Sequence, residues 1–222
     1  MGRRAYSDEE VQKARQALTQ AAMALYLELG LDGVSLRQVA ERAGLSHTLV
    51  YRYFDDKEAL LAELRLLCLD DFELALRHAD RPKADPVARV RAVLMGVLAF
   101  GCDQPAKYRL VFAHSQPDLS AFPRLLAKRC EIFDSCVDLV QTAIDHGNLD
   151  VDALAVTHGL WSLLHGMLSL QTAGQLVHGM TLRQMTGPVL DAALLALNPV
   201  TLSALKTRAR RRTTDPVRTR FA

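Results

Sequence analysis

Residues 35–57, SLRQVAERAGLSHTLVYRYFDDK, decide the fold. Ser35 and Ser46 each stand where a helix N-cap belongs, Ala43-Gly44-Leu45 supplies a turn, and Val39, Ala40, Leu45, Val50 and Phe54 recur at helical spacing to make a buried face. The polar residues then crowd onto one exposed edge. Two short helices joined in this way, the second opening with small polar residues and ending in Tyr51-Arg52-Tyr53-Phe54, are the sequence form of a helix-turn-helix unit. In such a unit the second helix lies in the major groove of DNA.

The flanking sequence extends this unit on both sides. Upstream, Ser7-Asp8-Glu9-Glu10 reads as a capping box, Leu18, Ala21, Ala22, Leu25, Tyr26 and Leu29 follow helical spacing, and Gly30 ends the helix. Downstream, Asp55-Asp56-Lys57-Glu58 opens a helix that runs to about Ala79 through Leu60, Leu61, Leu64, Leu67 and Leu74. The polar, Pro-containing segment Arg81–Pro86 breaks the chain, and helical stretches follow near 87–102, 104–114, 119–147, 151–175 and 181–197. No strand pattern emerges. The expectation is an all-α protein, with an N-terminal three-helix helix-turn-helix domain and a C-terminal helical bundle.

Composition bounds the class. With 222 residues, half of them hydrophobic, the chain can bury a sizeable core. The net charge of +2 is uneven: residues 206–222 hold seven Lys/Arg against one Asp, which leaves the first 205 residues at −4. Residues 1–60 hold eight Lys/Arg and nine Asp/Glu, so contact with DNA must come from local placement of charge. Cys68, Cys102, Cys130 and Cys136 form no C-x-x-C pair and fall in helical patterns, as reduced thiols packed as small apolar groups do. The N-terminal MGRRAYSDEE lacks the apolar run of a signal peptide, and the reading is a cytoplasmic protein.

Residues 153–182 contain no Asp, Glu, Lys or Arg. Thr157, His158, Gln171, Gln175, His178 and four glycines interrupt that stretch, so a helix covered by the domain core and by a partner subunit is preferred to a membrane span. The basic segment 201–222 has little apolar content and reads as a disordered tail.

In this order of elements the chain resembles the tetracycline-repressor-like (TetR) family of bacterial regulators. The resemblance rests on Glu28-Leu29-Gly30, Val34–Ala40, Ala43-Gly44-Leu45-Ser46, and Leu49–Phe54 followed by Lys57-Glu58-Ala59-Leu60-Leu61. The second half is similar to a subgroup with a Trp-His-Gly signature, here Trp161, His165 and Gly166, with Tyr108–Phe112 as a further element. The resemblance implies that Ser35 and Arg37 meet DNA from the first reader helix, that Ser46, His47, Thr48 and Leu49 lie over the major groove, and that Tyr51, Arg52, Tyr53 and Lys57 follow the phosphate backbone. Hydroxyls at helix N-termini suit phosphate, and an Arg fork suits a guanine edge. It further implies a homodimer that binds double-stranded operator DNA and responds to a small effector. The apolar residues Met95, Phe100, Phe112, Trp161 and Met167, with His165, would line the effector site, and the helix from Lys57 to Ala79 would be the lever.

Each assignment has a plainer counterpart. Tyr51 and Phe54 admit a core role, Ser35 and Ser46 a capping role alone, and Arg37 and Arg52 that of solvated charges. His158, Trp161 and His165 share one helix face at i, i+3 and i+7, yet no third ligand is fixed by spacing and no metal site is assigned. No cofactor and no catalytic residue are expected. The expectation is therefore a ligand-responsive repressor with a DNA-binding domain at 1–56, a ligand and dimer domain at 57–200 and a basic tail at 201–222. Two alternatives stand beside it: an effector-independent DNA-binding protein, and an enzyme on the same fold using His165.

Overall fold

A computed structural model describes residues 8–197 of the chain; the expected Ser7 cap and the basic segment 201–222 lie outside them. Among the described residues every regular element is helical: α1 (Asp8–Leu29), α2 (Leu36–Arg42), α3 (His47–Val50), α4 (Lys57–Ala79), α5 (Pro86–Asp103), α6 (Pro105–Tyr108), α7 (Pro123–His146), α8 (Ala153–Thr172) and α9 (Leu182–Leu194). Contacts divide the chain into two units. Among the described residues the first comprises 8–72 together with Gln104–Glu131, and the second comprises Glu73–Asp103 with 132–197. Helices α4 and α7 contribute residues to both.

Prolines set the boundaries that periodicity blurs. A continuous stretch over 119–147 is not formed, because Pro123 lacks an N–H and disfavours helical geometry in the residue before it. Phe122 accordingly leaves the helical region (φ −127°, ψ 68°) and separates a short 3₁₀ turn at Leu119–Ala121 from α7. Pro105 opens α6 at its first turn, where its missing N–H costs nothing, and α6 passes directly into a π-helical turn at Arg109–Ala113.

In the first unit, Leu18, Ala22, Leu25 and Tyr26 of α1 are buried, as are Val39 and Ala40 of α2, Val50 of α3, Phe54, and Leu60, Leu61 and Leu64 of α4, and α2 packs on both α1 and α3. Leu29 and Leu67, expected inside, are exposed. Leu29 closes the last turn of α1, where the chain folds back so tightly that a Cβ on Gly33 would sit 2.3 Å from its own Cβ. Among the described residues the largest fully buried side chain is Arg65, only 1% exposed. Its guanidinium lies 3.4 Å from the carbonyl oxygens of Leu110 and Ser115 and 3.5 Å from the Glu58 carboxylate. Burial pulls its pKa down against the opposing pull of Glu58. Tyr26 adds a second tie to the same segment by donating from its hydroxyl to the Ala106 carbonyl at 2.7 Å. The Tyr26 oxygen also lies 3.3 Å from His114 Nε2.

In the second unit, α8 buries Ala153, Thr157, Leu160, Leu164, Met167 and Leu168. Gly101 of α5 lets the two helices approach, since a Cβ there would meet Leu168 Cδ1 at 2.6 Å. By length and composition α8 is apolar enough to cross a membrane, yet only that one face is buried. Leu154, His158, Gly159, Ser162, Gly166 and Leu170 remain exposed on the single chain. Leu74, also expected inside, is exposed. The cysteines depart from the uniform packing expected of them: Cys68 of the first unit is buried, with its thiol pushed up to about 12, whereas Cys102 and Cys130 are exposed.

The first unit yields two tests. Arg65→Ala removes a packed side chain and strips the Leu110 and Ser115 carbonyls of a donor, so the unfolding free energy in urea should fall by about 2–4 kcal/mol. An unchanged midpoint would show that the guanidinium carries no stability. His114 has its pKa lowered first by burial and then by the neighbouring Arg109 and Arg65, with Asp32 opposing. The unfolded chain therefore binds the proton more readily than the folded one. Stability should be full above the ordinary histidine value of 6.5 and decline as pH falls below it, and His114→Gln should flatten that decline. A pH profile of urea midpoints identical in wild type and variant would contradict this.

Candidate nucleic-acid interface and effector region

The reader is built by caps and a glycine turn. Ser35 adopts extended backbone geometry, and its Oγ accepts the Gln38 N–H at 3.3 Å while donating to Gln38 Oε1 at 2.6 Å. At the other end of α2, Leu45 N–H donates to the Ala40 carbonyl at 2.9 Å across Gly44, whose φ of +67° is the left-handed geometry that favours glycine. Ser46 holds the N-cap position of α3 but makes no side-chain capping bond, so its exposed hydroxyl is uncommitted within the helix. The regular part of α3 ends at Val50, with Tyr51, Arg52 and Tyr53 in the turn that follows. Asp56 then caps α4 by accepting the Ala59 N–H at 2.7 Å.

This framework sorts the residues singled out from sequence. Arg37, Ser46, His47, Thr48, Tyr51 and Arg52 are exposed, Tyr51 to 60%, while Ser35 and Leu49 are half-buried. Val50 and Phe54 point inward, and the Arg15 guanidinium lies over the Phe54 ring at 5.3 Å. Glu41 sits beneath the edge: Arg37 Nε donates to it at 3.0 Å and His47 Nε2 lies 3.5 Å away. The Arg37 guanidinium holds the Glu41 carboxyl below the usual carboxylate range. A two-pronged pair between Arg42 and Glu28, at 2.6 and 2.5 Å, joins α2 to α1.

Two expected backbone contacts are otherwise engaged. Lys57 Nζ donates to the Leu31 carbonyl at 2.9 Å, tying the start of α4 to the loop after α1. The Tyr53 hydroxyl is enclosed by protein and has no hydrogen-bond partner among the described residues. In the turn after α3, Tyr51 is exposed whereas Tyr53 is half-buried and its hydroxyl oxygen is enclosed.

The structure does not gather the six proposed effector residues. Phe112 belongs to the first unit, edge-on to Phe72 at 5.1 Å, tilted against Tyr108 at 5.0 Å and covered by the Arg129 guanidinium at 5.8 Å. Phe100 and Met167 are buried in the core of the second unit. Trp161 and His165 are half-buried on α8, their rings 4.2 Å apart, with Phe133 of α7 at 6.5 Å from Trp161 and 4.7 Å from His158. Met95 alone of the six lines a cavity described in the second unit, together with Leu98, Arg91 and Arg183. Chain spacing identified the aromatic residues, but not Arg183, which reaches that wall from α9. Among the described residues no group of three or more His, Cys, Asp or Glu is placed to hold a metal.

A capped pair of short helices braced by α1, followed by a helical region, defines a helix-turn-helix regulator fold. Comparison with known families agrees. Residues 18–64 match the family of bacterial regulatory proteins, tetR family, and residues 90–197 match the tetracyclin repressor-like C-terminal domain. The chain belongs to the TetR family. The HTH-type transcriptional regulator BetI of Yersinia pestis (strain Pestoides F) is 40% identical over 84 residues, which are 37% of this chain and 42% of BetI. The match thus spans less than half the length of that curated relative. Among solved structures, a Rhodococcus sp. RHA1 protein of unknown function has a TM-score of 0.71 at 24% identity, covering 82% of this chain and 93% of that one. The TetR family transcriptional regulator PfmR from Thermus thermophilus has a TM-score of 0.58 at 20% identity, covering 86% and 97%. At these identities the structural likeness concerns the fold.

The stranded hydroxyl generates a test. Tyr53→Phe deletes a buried oxygen without a partner, so stability should hold or rise by up to about 1 kcal/mol, and duplex affinity should not change. A tenfold loss of duplex affinity in this variant, at unchanged stability, would return Tyr53 to the DNA contact set.

Proposed function

We propose that the protein is a DNA-binding transcriptional regulator, a homodimeric repressor that releases a palindromic operator on binding a small, largely apolar effector. One observation carries the reading: in a chain of the TetR family, Arg37, Ser46, His47, Thr48, Tyr51 and Arg52 form an exposed edge directly above a closed core of Val39, Ala40, Val50 and Phe54. His47 and Thr48 open α3, where short side chains reach base edges, and Ser46 offers a hydroxyl and helix-terminal N–H groups to phosphate. Tyr51 and Arg52 clamp the backbone and fix register without reading sequence, while Lys57 braces the start of α4 through the Leu31 carbonyl. Ser35, Arg37 and Leu49 complete the contact set.

Dimerisation is supported by α8, whose uncharged outer face leaves Leu154 and Leu170 exposed on the single chain. Two readers related by a two-fold axis engage half-sites about 34–36 Å apart. An effector acts by favouring a dimer whose readers no longer match that spacing, and α4, which contributes to both units, is the element that links the two events. The Phe133, His158, Trp161 and His165 cluster supports the Trp-His-Gly subgroup resemblance. The protein acts in the cytoplasm and carries out no catalysis.

The test separates the two kinds of contact. Thr48→Ala should cost about 1–3 kcal/mol and relax a single position of the bound sequence, whereas Tyr51→Ala should weaken all duplexes alike. Both residues are exposed, so thermal unfolding should be unaltered. Fluorescence anisotropy on a selected duplex checks affinity, and sequencing of bound duplexes checks the position-specific loss. Wild-type affinity and an unchanged sequence preference in both variants would overturn the assignment.

A further inference from the structure

The second unit holds an open cavity of about 540 Å³ walled by α5, the end of α8, the loop that follows and the first turns of α9. That volume falls in the range of small-molecule sites. Met95, Leu98, Ala99, Leu176 and Leu182 make its wall apolar, Arg91 and Arg183 bring cations, and no Asp or Glu lines it. Another cavity in this unit differs, because Asp85 and Asp191 line it along with Arg91.

The polar groups of the first cavity are unequally committed. Arg91 Nε donates to Asp191 at 2.9 Å. Thr186 donates to the Leu182 carbonyl at 2.7 Å, and Thr181 closes a capping box with Gln184. The Arg183 side chain is exposed and makes no hydrogen bond or ion pair among the described residues. A guanidinium with no partner among the described residues, over an apolar wall, is complementary to one kind of small molecule, an anion with an apolar body. The planar fork can take both oxygens of a carboxylate, while the wall removes the body from water. A neutral apolar ligand would leave Arg183 unused, and a cation would be repelled.

We propose that this groove binds an amphipathic carboxylate, with Arg183 holding the carboxylate and Met95, Leu98 and Leu182 covering the apolar body. Calling that ligand the effector rests on the regulator reading; its binding to the groove does not.

Calorimetry on the full chain tests the proposal with two matched pairs, octanoate against 1-octanol and 2-naphthoate against 2-naphthol, at pH 7.5. At least one carboxylate should bind saturably and about tenfold more tightly than its alcohol. Arg183→Gln should abolish that preference and leave the alcohol unaffected, and Ala99→Trp, at an exposed wall position, should remove binding of both. The bound carboxylate should also slow maleimide labelling of Cys102, which lines the groove, several-fold without slowing that of exposed Cys130. Absence of saturable carboxylate binding, an alcohol bound as tightly, a preference that survives Arg183→Gln, or equal protection of the two thiols would overturn it. Retained duplex binding alongside any of these results would leave the regulator reading standing. Carboxylate binding in a protein that binds no duplex would do the reverse.

Discussion

The first unit depends on the need of a buried guanidinium for acceptors. Arg65 is enclosed on all sides, and a cation removed from water is tolerable only where oxygens surround it. Those oxygens come from Glu58 on its own helix and from the backbone around the π-helical turn, at Leu110 and Ser115. A segment some 45 residues downstream in sequence is thereby made part of the reader's own unit. Lys107–Asp71, Arg124–Glu63 and Tyr26–Ala106 repeat the tie around this centre. The π turn suits that role, since wider winding changes the direction of its carbonyls from those of a regular α-helix.

Much of the reader was legible because its determinants are local. A cap at Ser35, a left-handed glycine at Gly44 and the spacing of Val39, Ala40, Val50 and Phe54 act within a few residues of one another, and periodicity reports such features directly. The same spacing placed Leu29, Leu67 and Leu74 inside, where they are not, because a periodic residue is buried only if another element arrives to cover it. Tyr53 departs from expectation for a related reason: its residue type suits a phosphate contact, and only the three-dimensional arrangement shows its hydroxyl to be enclosed. The expected boundary at residue 56 is narrower than either finding, since the family match runs to residue 64 and the compact unit extends to Phe72 and Gln104–Glu131.

The effector region was less legible. Aromatic and sulfur-containing residues stand out in a sequence, yet of the six only Met95 lines this cavity: Phe100 and Met167 are buried in the core, Phe112 belongs to the first unit, and Trp161 and His165 lie on α8 outside the cavity lining. The uncharged stretch at 153–182 was correctly seen as unusual. Its physical meaning is asymmetric, with one face packed inside the second unit and another left apolar on the single chain. Arg183 illustrates what a linear reading misses, because its value comes from facing a wall contributed mainly by α5.

The central claim is that two copies of this reader recognise DNA through a symmetric pair of half-sites. Selection of bound duplexes from a random pool by the full-length protein, followed by sequencing, tests it most directly. The account predicts enrichment of an inverted repeat whose half-site centres lie about one helical turn apart. Recovery of no motif above the starting pool, or of a single asymmetric site bound by one chain, would contradict it.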